Sequence, residues 1–168
     1  MKTAGIPGQT AHTFDATDLK LLIALQDDAR LSNVTLAKRV GLSPSACLAR
    51  VRALEKNGVI DRYVTLLNPA MMGLGMNVFI HITLERQTET ELSAFEAAMR
   101  ENPDVMECYL MTGDSDYLVR VAVPDLPALE HFIVARLSKT PGVANIRSSF
   151  TLKQVKYQTA LPLAVEGR

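Results

Sequence analysis

The chain is poor in the residues that build cross-linked, metal-bound or membrane-spanning proteins. It has two cysteines, Cys47 and Cys108, three histidines and no tryptophan among 168 residues. Two isolated cysteines form no disulfide framework, and neither has the Cys-x-x-Cys or Cys/His spacing of a metal site. No apolar run approaches the roughly 20 residues of a membrane-spanning helix, and residues 1–13 lack the apolar centre of a signal peptide. We therefore expect a cytoplasmic protein with no metal, no cofactor and no membrane partner.

Charge is balanced over the whole chain but not along it. Lysine and arginine total 18, and so do aspartate and glutamate. Residues 30–62, however, include seven basic residues and only two acidic ones, Glu55 and Asp61, which gives the segment a net charge of +5. The seven are Arg30, Lys38, Arg39, Arg50, Arg52, Lys56 and Arg62. A basic segment within a neutral protein favours contact with phosphate, and such contact weakens as salt rises.

The same segment has the pattern of a helix, a tight turn and a second helix. Ser43 and Pro44 suit the N-cap and first turn of the second helix. Its apolar residues Leu48, Val51 and Leu54 predict an inward stripe. The other side carries small residues and arginines, which can approach DNA closely and bind phosphate or guanine. This pattern predicts a helix-turn-helix DNA-binding unit, although an ordinary helical hairpin has the same spacing.

Two further elements complete the N-terminal half. Residues 14–28 have leucines on one face and predict a first helix, because two helices alone could not bury both apolar faces of the pair. Residues 59–66 are rich in β-branched and aromatic side chains and predict a strand that leads out of the domain. Asn68-Pro69 then breaks the pattern, so we place the domain border near residue 70.

The second half alternates strands and helices in the order βαββαβ. The predicted strands are 76–84, 105–111, 117–123 and 143–155, and the predicted helices are 90–101 and 126–137. This order predicts one antiparallel ferredoxin-like sheet with two helices on one face. The uncovered face would be partly apolar, which favours pairing with a second subunit. The fold class is therefore α+β, with a three-helix, winged-helix-like domain joined by a linker strand to a βαββαβ domain.

Five stretches in the right order resemble the Lrp/AsnC family, the feast/famine regulators of bacteria and archaea. They are DLKLLIALQDDARLSNVTLAKRVGLSPSACLARVRALEKNGVI, the Asn68-Pro69 connector, MECYLMTGDSDYLVRV, KTPGVANIRSS and VKYQTALPL. Within the family, the second half is similar to the branch that controls branched-chain amino-acid and keto-acid breakdown. The resemblance implies a homodimer, usually assembling further to an octamer, that binds double-stranded DNA and an amino-acid effector without enzymatic activity.

The resemblance also implies that the turn TGDSDYL is the effector loop. Gly113 would let backbone N–H groups approach a carboxylate, and Asp114 or Asp116 could accept hydrogen bonds from an ammonium group. We favour Asp116 for the ammonium and Ser149 as a lining residue. The expected effector-binding residues are Thr112, Gly113, Asp114, Asp116, Tyr117 and Ser149. A plain hairpin turn would use the same residue types.

The expected DNA-binding residues are Ser32, Asn33, Ser43, Ser45, Arg50 and Arg52. Of these, Arg50 is expected to read a base or clamp a phosphate. Many relatives have a second proline and an additional arginine where this chain has Ala46 and Ala49. The helix therefore offers little to a base edge, and we expect specificity to depend on how many copies are spaced along bent DNA.

These patterns lead to a domain plan and a function. The expected limits are a flexible tail at 1–13, the DNA-binding domain at 14–60, the linker at 61–75, the ligand-binding and oligomerisation domain at 76–158, and a tail at 159–168. The function is amino-acid-responsive control of transcription in amino-acid metabolism. An amino-acid-sensing module acting on a protein partner and a non-sensing architectural DNA-binding protein remain as alternatives. An enzyme built around Cys108 and His131 has no recognisable base, nucleophile and orienting group to support it.

Overall fold

The computed structural model describes residues 14–164, which form two compact units. Among these residues, the N-terminal unit consists of 14–65 and 156–164, and the C-terminal unit spans Leu66–Val155. The chain therefore crosses between the units twice. The tail predicted for residues 1–13 lies outside the described residues. No helix within the described part is long and apolar enough to span a membrane.

Three helices form the body of the N-terminal unit, in agreement with the sequence pattern. They are α1 (Ala16–Asp27), α2 (Asn33–Val40) and α3 (Pro44–Lys56). The side chains of Asp15, Ser32 and Ser43 cap them, each accepting a hydrogen bond from the backbone N–H three residues on. All three helices contribute to a buried core of Leu21, Ala24, Leu36, Ala37 and Cys47. Burying these side chains together holds α3 in place.

The inward face of α3 differs by one position from the predicted stripe. Leu48 is 38% exposed, whereas Cys47 is fully buried and Leu54 is 6% exposed. Cys47 and Leu54 lie two turns apart and so share one face of the helix. Cys47 packs in the core with residues of α1 and α2. Leu48 is the next residue of the helix, so its side chain points about 100° away from that of Cys47. The prediction of an inward Leu48 was therefore wrong.

The run after α3 does not form a strand within the described chain. Residues 59–66 were expected to be a strand, yet they pair with no other segment there. Tyr63, Val64 and Leu66 are all about half exposed or more. A strand needs a partner for its backbone N–H and C=O groups, and residues 14–164 supply none for this run.

The C-terminal unit has the predicted βαββαβ order. Its elements are β1 (Met76–Leu84), α4 (Glu89–Glu101), β2 (Val105–Leu110), β3 (Tyr117–Val123), α5 (Leu126–His131) and β4 (Val143–Phe150). The four strands form one antiparallel sheet in the order β2-β3-β1-β4. Alternate residues of β1 and β3 are buried under the helices. The residues on the other face, which we call the open sheet face, are only partly buried, among them Phe79 and Leu118.

One core holds this unit together. Val78, Ile80 and Ile82 of β1 and Val119 and Val121 of β3 are fully buried. Phe95 and Met99 of α4, and Leu129, Phe132 and Leu137 of the second helical region, cover them. The predicted helix-covered face of the sheet is confirmed by this burial.

Two elements end earlier than the sequence predicts. The helix expected over 126–137 is α-helical only to His131 and continues as a π turn (Phe132–Arg136) and a 3-10 turn (Leu137–Lys139). Strand β4 was expected to reach residue 155 but ends at Phe150, opposite Val78. Its partner β1 begins at Met76, so the ladder ends with a bond from Thr151 N to the Asn77 carbonyl. Leu152 is then fully exposed.

The tight turn between α2 and α3 depends on one glycine. Gly41 has φ of 75° and ends α2 in the left-handed conformation, which costs other residues about 1–2 kcal/mol. Replacement of Gly41 by alanine should therefore lower the free energy of unfolding by about 1 kcal/mol, measured by urea denaturation. Gly75→Ala is the matched control, because Gly75 has no positive φ and nothing near its Cβ position. Equal effects of the two substitutions would contradict this account of the turn.

Candidate nucleic-acid interface and ligand loop

The outer face of α3 consists of small residues and one unpaired arginine. Ser45, Ala46 and Ala49 are exposed, so another surface can approach the helix backbone closely. Arg52 is also exposed and makes no hydrogen bond or ion pair within residues 14–164. Its guanidinium is free to donate to a phosphate or a base edge. This face is therefore the part of α3 that is open to nucleic acid.

The start of α3 adds the hydroxyl groups of Ser43 and Ser45 at the positive end of the helix dipole. Ser43 Oγ accepts a 3.3 Å hydrogen bond from Ala46 N and lies 3.2 Å from Ser45 Oγ. The N-terminus of a helix carries a partial positive charge and attracts phosphate. Both predicted serines thus lie where a backbone phosphate could bind.

The two predicted residues at the start of α2 have structural contacts. Ser32 Oγ accepts from Thr35 N at 3.1 Å and lies 2.8 Å from Thr35 Oγ1. Asn33 Nδ2 donates to the Pro44 carbonyl at 2.7 Å, which ties the first residue of α2 to the first residue of α3. These bonds set the position of α3 relative to α2. Their roles in DNA contact stay predictions.

Arg50 has a different set of contacts from the one expected. Its Nη1 donates to Asp15 Oδ2 at 2.6 Å and to Asp18 Oδ1 at 2.8 Å, so the guanidinium faces the first turn of α1. The pKa of Asp15 lies below its usual value, because the Asp18 backbone N–H and then Arg50 stabilise the carboxylate. The same ion pairs raise the pKa of Arg50. We therefore infer that Arg50 holds α3 against α1, in place of the expected reading of a base or clamping of a phosphate.

The sequence contained a signal for this contact that its analysis missed. Asp15 and Asp18 were interpreted only as a cap and a favourable charge at the start of α1. Two carboxylates three residues apart lie on neighbouring positions of one helix face, and they can bind one guanidinium together. Which arginine they would bind depends on the packing of α1 against α3, and the sequence alone does not provide that packing.

The turn between β2 and β3 is anchored by a buried aspartate. Asp116 is 8% exposed, and its Oδ2 accepts from Leu84 N at 2.7 Å. Its Oδ1 accepts from Gln87 Nε2 at 2.5 Å. The backbone of Asp116 adds a bond from its N–H to the Ile82 carbonyl and another from Met111 N to its own carbonyl. Asp116 therefore ties the turn to the end of β1, and its carboxylate is not displayed for an ammonium group as expected.

Tyr117 also belongs to the core and does not line the turn. It is 1% exposed, its ring centre lies 4.5 Å from that of Phe95, and its hydroxyl donates to Glu96 Oε1 at 3.2 Å. Burial, and then the Glu96 carboxylate, raise the pKa of the phenol. The expected effector contact of Tyr117 is therefore replaced by a packing role.

The remaining residues of the turn form an exposed rim. Thr112, Gly113 and Asp114 are all exposed, and Gly113 has φ of 120°, a conformation that glycine adopts without strain. Asp114 makes no hydrogen bond or ion pair within the described part of the chain. The rim thus has accessible backbone N–H groups and one free carboxylate.

Ser149 lies away from this rim in the single chain. On the open sheet face it is paired with Phe79, whereas the turn begins beyond the other end of β1, opposite Ile82. Arg147 is two residues nearer to that end, which corresponds to about 7 Å along a strand. Arg147 is paired with His81, whose Nδ1 lies 3.2 Å from Ser115 Oγ. The residues beside the turn are thus His81 and Arg147, which the sequence analysis missed together with Gln87.

The described residues contain no group of three His, Cys, Asp or Glu side chains that could hold a metal ion. Cys47 and Cys108 are both free thiols. Burial raises the pKa of the Cys108 thiol to about 11, which keeps it protonated and poorly nucleophilic at neutral pH.

Comparisons with known proteins match both units. A family model described as the Lrp/AsnC ligand binding domain covers residues 77–161, and one described as a winged helix-turn-helix DNA-binding domain covers residues 14–61. The Bkd operon transcriptional regulator of Pseudomonas aeruginosa is 46% identical over 149 residues, which cover 89% of this chain and 97% of that protein. The leucine-responsive regulatory protein of Escherichia coli K12 is 41% identical over 147 residues, with 88% and 90% covered.

Two solved structures have the same fold. A transcriptional regulator from Neisseria meningitidis in complex with L-methionine matches with a TM-score of 0.85 and 41% identity, covering 89% of this chain and 97% of that one. An AsnC family transcriptional regulator from Agrobacterium tumefaciens matches with a TM-score of 0.84 and 39% identity over the same shares.

The ion pairs between α1 and α3 generate a prediction for stability. Arg50→Ala and Asp18→Ala should each lower the thermal midpoint of unfolding of the N-terminal unit. The double variant should be little worse than Arg50→Ala alone, because Arg50→Ala already removes the pair with Asp18. The unpaired Arg52 provides the control, since Arg52→Ala should leave the midpoint nearly unchanged. Additive losses from Arg50→Ala and Asp18→Ala would contradict the proposed contact.

Proposed function

Because this chain belongs to the Lrp/AsnC family of DNA-binding transcription regulators, we propose that an amino acid bound at the rim 112–114 controls how α3 binds DNA. The relatives named above are transcriptional regulators and not enzymes. The observation that carries the proposal is that one aspartate of the turn is bonded within the fold and the other is accessible. Asp116 is used to anchor the turn, while Asp114 and the N–H groups around Gly113 stay free.

A free carboxylate beside free N–H groups suits the two charged ends of an amino acid. The α-carboxylate would accept hydrogen bonds from the exposed backbone at Gly113, and the α-ammonium would donate to Asp114. This assignment moves the ammonium contact from Asp116, favoured by the sequence, to its neighbour two residues earlier. His81 and Ser115 adjoin the rim and support its conformation.

The effector proposed is a small apolar L-amino acid, with leucine, methionine and the branched-chain amino acids as first candidates. One relative is named as leucine-responsive, one solved relative holds L-methionine, and another is named for the Bkd operon. Control of amino-acid metabolism is the corresponding physiological role. Such a regulator would act where the DNA is, in the cytoplasm.

The DNA contacts proposed for α3 combine its N-terminal serines with Arg52. Ser43 and Ser45 would bind a backbone phosphate at the start of the helix, while Arg52 would reach a phosphate or a base edge in the major groove. Ala46 and Ala49 would allow a close approach without selecting a base. Two such helices in one dimer would bind half-sites about one helical turn apart.

Assembly into dimers, and of dimers into an octamer, is proposed from the uncovered surfaces. The open sheet face carries Phe79, Leu118 and Tyr109 beside the Arg120–Glu107 ion pair. The run that follows α3 pairs with no strand among residues 14–164, and Met71 beyond it is 82% exposed. A second copy of the chain would cover these apolar groups and pair the unpaired backbone.

If Arg52 contacts DNA, Arg52→Ala should bind DNA more weakly while the protein stays as stable as the wild type. Arg52→Ala should weaken binding to the chain's own upstream DNA by roughly 1–3 kcal/mol if it reads a base, or lower the salt slope by about 1 if it contacts phosphate. Fluorescence anisotropy at several salt concentrations separates these cases. The matched control is Arg86→Ala, which removes an exposed, unpaired arginine from the C-terminal unit. If both variants lose affinity equally, the loss reflects net charge alone and α3 is not the contact.

The two aspartates of the turn should behave differently when replaced. Asp114→Ala should leave the thermal midpoint of the free protein unchanged and abolish the midpoint rise caused by the effector. Asp116→Ala should destabilise the C-terminal unit by about 1–3 kcal/mol, because the Leu84 N–H and the Gln87 amide lose their acceptor. A thermal-shift screen of the twenty amino acids on the wild type and both variants makes the measurement.

The screen also has outcomes that contradict the proposal. No midpoint rise for the wild type with any amino acid would remove the effector role. A normal rise for Asp114→Ala would place the ammonium group elsewhere than at Asp114.

A further inference from the structure

The C-terminal segment is attached to the first helix of the N-terminal unit. Gln26, in the last turn of α1, makes two hydrogen bonds to a single residue 135 positions later in the chain. Its Oε1 accepts from Leu161 N at 2.6 Å, and its Nε2 donates to the Leu161 carbonyl at 3.3 Å. A side-chain amide has one donor and one acceptor, so it can bind the backbone C=O and N–H of one residue at the same time.

Local bonds give this segment a defined shape. Leu163 N donates to the Leu161 carbonyl at 2.9 Å, which closes a three-residue turn around Pro162. Proline has the backbone φ that such an inverse γ-turn requires. Gln158 Nε2 also donates to the Ala160 carbonyl at 3.0 Å. The segment was expected to be a plain extended tail from residue 159, and these contacts instead give it a fixed attachment.

The attachment is made through the backbone, with limited help from apolar packing. The Leu161 side chain is 69% exposed, whereas Ala160 and Leu163 are half-buried. A contact of this kind is weak enough to open and close, because exposed hydrogen bonds contribute little net stability. It is nevertheless specific, because both bonds require an amide at residue 26.

The position of the segment in the chain gives the attachment a consequence. The segment follows β4 of the C-terminal unit, separated from it only by the exposed residues 151–155. The chain thus passes from one unit to the other at residues 65–66 and returns at residues 155–156. While Leu161 is bound to Gln26, two chain connections, at residues 65–66 and 155–156, limit the motion of the DNA-binding unit. When Leu161 is released, only the connection at residues 65–66 limits it.

Helix α1 in turn holds the helix that faces DNA. Asp15, just before α1, and Asp18, in its first turn, bind Arg50 of α3. Gln26, in the last turn of α1, binds Leu161. One rigid helix therefore connects the C-terminal segment with the recognition helix. A change in the segment can reach α3 without any part unfolding.

From this geometry we propose that residues 156–164 form a releasable strap, held by Gln26, through which the C-terminal unit restrains the DNA-binding unit. Gln26 is a positioning residue in this scheme and touches neither DNA nor effector. Docking of the strap and binding of DNA are thermodynamically linked, so each changes the equilibrium of the other. The proposal rests on the proposed function in that the effector acts on DNA affinity through this link.

The test compares Gln26→Ala with Gln154→Ala in the full-length chain. Gln154→Ala is the matched control, because it removes an exposed glutamine that has no bond within the described residues and precedes the strap. Hydrogen–deuterium exchange across residues 156–164 should accelerate by roughly five- to tenfold in Gln26→Ala, as expected for the loss of one or two modest hydrogen bonds, and stay unchanged in Gln154→Ala. Equal exchange in all three proteins would overturn the strap.

The second readout is the ratio of DNA dissociation constants with and without saturating L-leucine or L-methionine. The wild type and Gln154→Ala should have a ratio that differs from one, and Gln26→Ala should move it towards one. The thermal shift caused by the amino acid should be kept in Gln26→Ala, which shows that the C-terminal unit still binds it. An unchanged ratio in Gln26→Ala, and in a chain that ends at Val155, would overturn the coupling.

Failure of the proposed function would give a different result from failure of the strap. It would be a wild type whose DNA affinity responds to none of the twenty amino acids. The strap is then judged without any effector, by the exchange of residues 156–164 with and without DNA. A change in that exchange when DNA binds, absent from Gln26→Ala, supports the strap, and no change overturns it.

Discussion

The ion pairs of Arg50 with Asp15 and Asp18 join α3 to the first turn of α1 and hold its guanidinium on that side of the helix. Since the guanidinium is held by α1, the most central arginine of the helix does not extend outward. The exposed face keeps Ser45, Ala46, Ala49 and Arg52, and of these only the serine and the arginine have groups that could bind phosphate. A single copy should therefore bind DNA weakly, and selectivity should come from several copies on regularly spaced sites and from the deformation of the DNA between them.

The same division between anchoring and displayed groups recurs in the C-terminal unit. Asp116 holds the turn to β1 through Leu84 and Gln87, and this leaves Asp114 as the accessible carboxylate. In both units a buried or paired charge fixes the geometry, and an unpaired neighbour is left to meet a ligand. In each unit we therefore propose the unpaired neighbour, Arg52 or Asp114, as the ligand contact.

The sequence predicted the elements well, because hydrophobic periodicity and capping residues are local signals. The three helices, the βαββαβ order and the extent of β1 were all recovered. The predictions were less accurate for side-chain burial and contacts, because these depend on packing between distant segments. Leu48 was expected inside and β4 was expected to run beyond the end of its partner. The partners that Arg50, Asp116 and Tyr117 have within the fold were not foreseen either. The attachment of Leu161 to Gln26 has no local signal at all.

The central claim is that one unit binds DNA electrostatically and the other adjusts this binding in response to an amino acid. Fluorescence anisotropy of the wild-type chain on its own upstream DNA, over a range of salt and with or without L-leucine, tests it most directly. The account predicts affinity that falls steeply as salt rises and that changes when the amino acid is added. Binding that is absent, or that is insensitive to both salt and every amino acid tried, would contradict it.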